Sequence, residues 1–172
     1  KSGRAMSAPM AWSVLLLASG EPEQAVVLAG RDRYWSRAQA WLAKHSLVEE
    51  AQRLRGRGAV EFFDVHPSEV RRLLARSDVL PTGASAGKVV GLIGGSEEAE
   101  FYAPARARQD LMSEHGMEPA NGAVRVRWVP DEVWKILTAD GRVEVPRTAA
   151  LIDLLESDDP RARREAAKAL AR

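Results

Sequence analysis

Seven basic side chains fall between residues 31 and 57, against three acidic ones, in a chain whose net charge is only +1. Arg33, Arg37, Ala40 and Lys44 recur at steps of three and four, the spacing that lines one side of a helix. Tyr34 and Trp41 flank this stripe, and Trp35, Ala38 and Leu42 form another face. The pattern predicts a helix ending near His45 that packs with one side and presents cations on the other. Arginine can donate two hydrogen bonds to a guanine edge, and both Arg and Lys neutralise phosphates. Arg31, in the Gly30 to Asp32 break ahead of the helix, extends the same basic set. The plainer alternative is a solvated basic face on an ordinary helix.

The elements around this helix sharpen the expectation. Arg53, Arg55 and Arg57 cluster beside Gly56 and Gly58, which would supply the positive backbone dihedrals of a tight hairpin turn. Beyond them Val60, Phe62 and Asp64 alternate with Glu61, Phe63 and Val65, as in a strand with one face on a core. Ahead of the basic helix, Ala25 to Ala29 forms an apolar segment, and Pro9 to Ser19 places Ala11, Val14, Leu15 and Ala18 on one side of a helix that completes a three-helix core. His66-Pro67-Ser68-Glu69 opens a further helix, with Pro67 in its first turn. This order outlines a winged helix whose basic hairpin reaches phosphates or a minor groove. The expected function is binding of double-stranded DNA through Arg31, Arg33, Tyr34, Arg37, Lys44, Arg53, Arg55 and Arg57. A winged helix that binds protein is the alternative, because such folds host both uses. One recognition helix reads about one half-site, so a homodimer is expected. Trp134, Ile136 and Leu137 are its candidate surface, with core packing the plainer reading.

The expected fold class is α+β: a winged helix-turn-helix over residues 6–76, a linker over 77–87, and a small mixed α/β domain over 88–172. Pro81, Thr82, Gly83, Ala84, Ser85 and Gly87 favour the linker. The second domain reads as strands at Lys88 to Ile93 and Ala99 to Ala103, a helix from Pro104 to His115, and a strand from Val124 to Val129. A short helix from Asp131 to Leu137, a strand at Val143 to Val145 and two closing helices follow. Val124, Val126 and Trp128 alternate with Arg125 and Arg127, which predicts burial of one face. Asp159 and Pro160 fit the start of the last helix. Its Arg161, Arg163, Arg164, Lys168 and Arg172 read first as a solvated face, although a second nucleic-acid contact is conceivable. Residues 1–76 hold 12 basic and 8 acidic residues and 77–172 hold 13 and 16, consistent with a DNA-reading part joined to a part serving something else.

Composition removes several classes. With 45% hydrophobic and 28% charged residues the chain can bury a core and is not a disordered tail. It has no cysteine, which excludes disulfides and Cys-based metal centres and favours a cytoplasmic setting. Val14 to Ala18 is too short to span a bilayer, so no membrane partner is expected. Lys1 to Ala5 reads as a cloning remnant ahead of a native start at Met6. No cofactor or metal is expected, nor an enzyme. Gly94-Gly95-Ser96 is superficially like the opening of a nucleotidyltransferase site, but the paired carboxylates of two-metal chemistry are missing: Asp110 stands alone, and Glu97, Glu98 and Glu100 lie too near the turn. Gly83 to Lys88 lacks the spacing of a phosphate loop. His45, His66 and His115 are scattered, and read as caps or surface residues.

Taken together, the helix pair, Ser36-Arg37-Ala38, Leu42, Leu47-Val48 and the basic segment resemble a winged-helix transcription regulator over about Met10 to Ala75. Glu144-Val145-Pro146-Arg147-Thr148-Ala149-Ala150-Leu151-Ile152-Asp153-Leu154-Leu155 and the helix through Leu170 are similar to the closing segment of abortive-infection antitoxins of the AbiEi type, and Val124-Arg125-Val126-Arg127 fits their order of elements. The resemblance implies an autoregulating repressor that binds its own promoter and has a nucleotidyltransferase-like cognate toxin as partner. It also implies groove contacts by Arg33, Tyr34, Arg37 and Lys44, and wing contacts by Arg53, Arg55 and Arg57.

Overall fold

A computed structural model describes residues 4–29, 32–86 and 99–171. In chain order the helices and strands are α1 (Ala8–Ala18), α2 (Pro22–Ala29), α3 (Asp32–Leu42), β1 (Ala59–Asp64), α4 (Pro67–Leu74), β2 (Leu80–Pro81), β3 (Ala99–Pro104), α5 (Arg108–His115), β4 (Glu118–Pro119), β5 (Val124–Val129), α6 (Asp131–Leu137), α7 (Arg147–Leu155) and α8 (Pro160–Leu170). Short 3-10 helices occupy Ala51–Arg57, Gly83–Ser85 and Ala105–Ala107. The protein is therefore a mixed helix and sheet structure, as expected. Its division is different: Lys1–Arg57 and Pro146–Arg172 form a helical unit, and Gly58–Val145 forms a sheet unit. The two C-terminal helices thus belong with the N-terminal ones.

In the helical unit, α1 is buried at Ala11, Trp12, Ser13, Val14, Leu15 and Leu16, on every side rather than along the single predicted face. A helix so apolar must be surrounded. α2, α3, the 3-10 helix Ala51–Arg57 and α7 all pack against it, and α2 also packs on α3. α7 is itself buried from Thr148 to Leu154.

The expected hairpin wing is absent from Arg53 to Gly58. Ala51–Arg57 is a 3-10 helix, and neither Gly56 nor Gly58 is among the glycines with positive φ. Gly56 is needed for a different reason: a Cβ there would collide with the Met6 carbonyl, where the N-terminal strand of chain crosses and donates from Met6 N–H to Arg53 O at 2.8 Å. A 3-10 helix repeats every three residues. Ala51, Leu54 and Arg57 accordingly share its buried side. The Arg57 side chain is 0% exposed and faces Asp153, also 0% exposed. Its Nε and Nη2 donate to Asp153 Oδ1 at 2.9 and 2.6 Å, Nη2 to Glu156 Oε1 at 2.8 Å, and Nη1 to Leu54 O at 3.1 Å. Trp12 Nε1 donates to the Arg57 carbonyl at 2.7 Å.

The sheet unit carries a five-stranded sheet in the order β2-β3-β5-β1-β4. β3 and β5 run parallel, and the other pairs are antiparallel. Phe63, Phe101 and Val126 join Leu73 of α4 and Leu111 of α5 in one core. Glu61 lies beside this core, accepting from Trp128 Nε1 at 2.5 Å and from Arg108 Nε and Nη2 at 2.8 and 2.9 Å, which ties the start of α5 to β1. β5 was expected to bury one face only. Its other side is covered too: Arg127 is 1% exposed and donates from Nε and Nη2 to Glu100 at 3.2 and 3.0 Å, while the Arg125 guanidinium sits 5.0 Å from the Phe62 ring.

Residues 77–87 are not a linker over their described part. Leu80 and Thr82 are buried, β2 pairs with β3, and Thr82 N–H donates to Glu100 O at 3.0 Å. Pro81 is tolerated because β2 is an edge strand. The expected strand at Val143 to Val145 is absent: residues 143 and 144 form a bend and Val145 is irregular. Trp134 and Leu137 are buried inside the sheet unit, so they offer no exposed dimer surface. The predicted strand at Lys88 to Ile93 and the Gly94-Gly95-Ser96 turn lie outside the described residues.

Two outcomes follow from this packing. Truncating either Arg57 or Asp153 to Ala strands a buried charge and is expected to cost about 3–5 kcal/mol, whereas a paired Arg57→Met/Asp153→Leu change should recover most of that loss. Denaturant unfolding of the three variants measures this, and near-normal stability of the single variants would refute it. The second concerns acid. Hydrogen bonding from Arg108 holds the Glu61 carboxyl below its ordinary range, and the same is done to Glu69 by His115 and to Asp78 by Arg76. A carboxyl depressed in the folded state adds stability above its unfolded value, 4.5 for Glu and 3.8 for Asp, and loses it as pH falls through the folded value. Asp78→Asn and Glu61→Gln should therefore be less stable than the parent at pH 7 and converge with it in acid; parallel pH profiles would show that these pairs contribute nothing.

Candidate nucleic-acid interface

The helix expected to meet nucleic acid forms as α3 (Asp32–Leu42). Its helical path continues past Leu42, with Ala43 N–H donating to Gln39 O and both Lys44 and His45 N–H to Trp41 O, all at 3.0 Å. The inward side is centred on Ala38, 0% exposed, and Trp41, 7% exposed. Trp35 and Leu42 are half-buried at its margins. Trp41 was expected beside the cations; instead it stacks on His45, with ring centroids 5.0 Å apart. The rotation leaves Arg37 and Lys44 exposed, seven positions apart on one helical side.

The eight predicted contact residues divide sharply. Arg37 and Lys44 are available to a ligand. Arg31 lies outside the described residues, as do the side chains of Arg33 and Tyr34, whose backbone belongs to α3. Arg53, Arg55 and Arg57 do not form a common surface. Steps of two place residues on one face of a strand, but on three different sides of a 3-10 helix. Arg55 is exposed. Arg53 is 31% exposed and lies 3.7 Å from Glu50. Arg57 is sealed by Asp153 and Glu156 and cannot reach a phosphate. The signal for this lay in the spacing of Ala51, Leu54 and Arg57 by threes, matched by Asp153 and Glu156 three apart at the end of α7.

Exposed cations without a hydrogen bond are unevenly spread. Among the described residues of the helical unit, Arg4, Arg37, Lys44, Arg55, Arg147, Arg161 and Arg164 are exposed and their side chains make no hydrogen bond, although Arg161 and Arg164 attract Glu165. In the sheet unit only Arg71 and Lys135 are of this kind among the described residues, because Arg72, Arg76, Arg106 and Arg108 are paired. Formal charge follows the same division. The helical unit holds 15 basic and 10 acidic residues, a net of +5, and the sheet unit holds 10 and 14, a net of −4. The structural boundary thus concentrates the asymmetry that the sequence halves showed only weakly.

The histidines have structural settings. His45 stacks on Trp41, and His66 caps α4 by accepting from Ser68 N–H. His115 departs from the expected surface position: it is 7% exposed, with Nδ1 3.0 Å from Glu69 Oε2. Among the described residues no group of three His, Asp or Glu side chains could hold a metal ion, and no helix is long and apolar enough to cross a membrane. A groove of about 450 Å³ in the helical unit has an apolar floor of Val48, Ala51, Leu155, Pro160 and Ala167, bordered by Glu49, Gln52, Glu156, Arg163 and Arg164.

No protein-family model, curated protein or solved structure matches this chain.

Proposed function

We propose that this protein is a sequence-specific, double-stranded DNA-binding regulator that reads its site with α3, in the manner of an autoregulating antitoxin-like repressor. The observation that carries the reading is the two-sided character of α3: Ala38 and Trp41 pack inward while Arg37 and Lys44 stand exposed and unpaired. α1, α2 and α3 pack mutually, the arrangement in which a third helix is offered to a major groove. The +5 charge of this unit favours approach to a polyanion. In this reading Arg55 contributes a phosphate contact by itself, without a wing, and two copies of the chain engage a pair of half-sites. The role is one of binding, not catalysis.

A second reading, a protein-interaction module, is favoured by the apolar groove between Val48 to Gln52 and α8. A nucleotidyltransferase-like toxin is the partner that the antitoxin resemblance implies. Co-expression with the product of the neighbouring gene separates the readings, since a stable complex with no DNA affinity belongs to the second alone.

DNA binding is tested by anisotropy titration against the duplex upstream of the protein's own gene and an unrelated duplex, each at several salt concentrations. Arg37→Ala and Lys44→Ala should each lower affinity for the cognate duplex, by about 1–3 kcal/mol where the side chain reaches a base edge. Arg55→Gln should weaken both duplexes alike and reduce the salt slope by about 0.9, the value of one phosphate contact. Binding indifferent to Arg37 and Lys44 would sink the assignment of α3.

A further inference from the structure

The C-terminal helix α8 belongs to the same unit as α3, although more than a hundred residues of sequence lie between them. Its Ala166 is fully buried, and Arg161, Arg163, Arg164 and Lys168 are exposed. Two of these four have local work. Arg163 Nη1 donates to Ser157 O at 2.8 Å, across the turn into the helix, and Lys168 Nζ pairs with Glu165 at 2.9 Å. The side chains of Arg161 and Arg164 make no hydrogen bond among the described residues; each attracts Glu165, the carboxylate that Lys168 pairs with. Three residues apart, they lie about 4.5 Å apart along the axis, on the side away from Ala166.

Their location works against the helix itself. The start of a helix carries partial positive charge, so cations in its first turns are unfavourable there. Asp159 offsets part of this by capping the Arg161 N–H at 2.8 Å. Arg164 also borders the groove beside Val48 to Gln52, and both guanidiniums add to the positive side of a unit whose net charge is already +5.

We infer that the outer face of α8, through Arg161 and Arg164, is a second contact to the phosphate backbone of duplex nucleic acid, separate from the groove-reading face of α3. The inference rests on the DNA-binding reading of the helical unit and assigns to its C-terminal helix a sequence-independent share of the affinity. The face adds no discrimination between sequences, because phosphates are alike along the duplex.

The test uses the full chain and the same two duplexes, with Arg161→Gln/Arg164→Gln as the variant; glutamine removes the charge and keeps helix propensity. Arg71→Gln/Lys135→Gln, which removes equal charge from the sheet unit, is the control, and circular dichroism checks that both variants are folded. The expected result is a salt slope shallower by about 1.8 on both duplexes for the α8 variant, two phosphate contacts at about 0.9 each. Their affinity ratio should be unchanged, and the control should keep the parental slope. A parental slope in the α8 variant, with Arg37→Ala still impaired, overturns the α8 contact and leaves the α3 reading standing. An equal loss in the control overturns it too, by showing a general charge effect. Absence of parental binding to either duplex sinks both.

Discussion

Everything about the helical unit turns on the sealed guanidinium of Arg57. Removing an arginine from water costs several kcal/mol unless anions and acceptors surround it, and here Asp153, Glu156 and the Leu54 carbonyl supply them. Because Asp153 in the last turn of α7 and Glu156 at its C-cap sit three apart, the 3-10 helix Ala51–Arg57 has few registers in which this charge is satisfied. Trp12, the largest buried side chain of α1, is fixed to the same residue through its indole N–H. One side chain thus joins α1, the 3-10 helix and α7. Together with the apolar packing of α7 on α1, it joins the two ends of a unit that is discontinuous in sequence, the sheet unit being an excursion of the chain between residues 57 and 146.

This constraint also decides which basic residues can serve a ligand. An arginine that neutralises a buried aspartate is lost to phosphates, and the same holds in the sheet unit, where Arg108 is held by Glu61 and Arg127 by Glu100. The exposed cations that remain without a hydrogen bond are concentrated on the unit that contains α3 and α8. Under the proposed DNA-binding reading, the cations that the fold does not consume are the ones left to meet a polyanion.

Much of the chain was legible before any coordinates. α1, α2, α3, α4 and α6, strands β1 and β5, and the Asp159-Pro160 start of α8 lie close to their expected places, because apolar periodicity and cap chemistry are local properties. The failures share one cause. Arg53, Arg55 and Arg57 fit a strand tip by composition, and Leu80 to Ser85 fits a linker by its Pro, Gly and Ser content, yet both segments are fixed by distant partners. Arg57 is held by α7, and β2 by β3. His115 belongs with them: its neighbours in sequence suggest a cap or surface residue, but it is buried with Nδ1 against Glu69 of α4.

The sequence by itself determined the elements, the two-sided character of α3 and the local excess of basic residues, since each depends on neighbours within a few positions. Only the tertiary structure decided that the C-terminal helices complete the N-terminal unit, that Arg57 is a buried structural cation, and that Arg37, Lys44, Arg55, Arg161 and Arg164 stay exposed. The reason is physical: an arginine has the same charge in every sequence, but whether that charge faces water or a buried carboxylate depends on residues almost a hundred positions away.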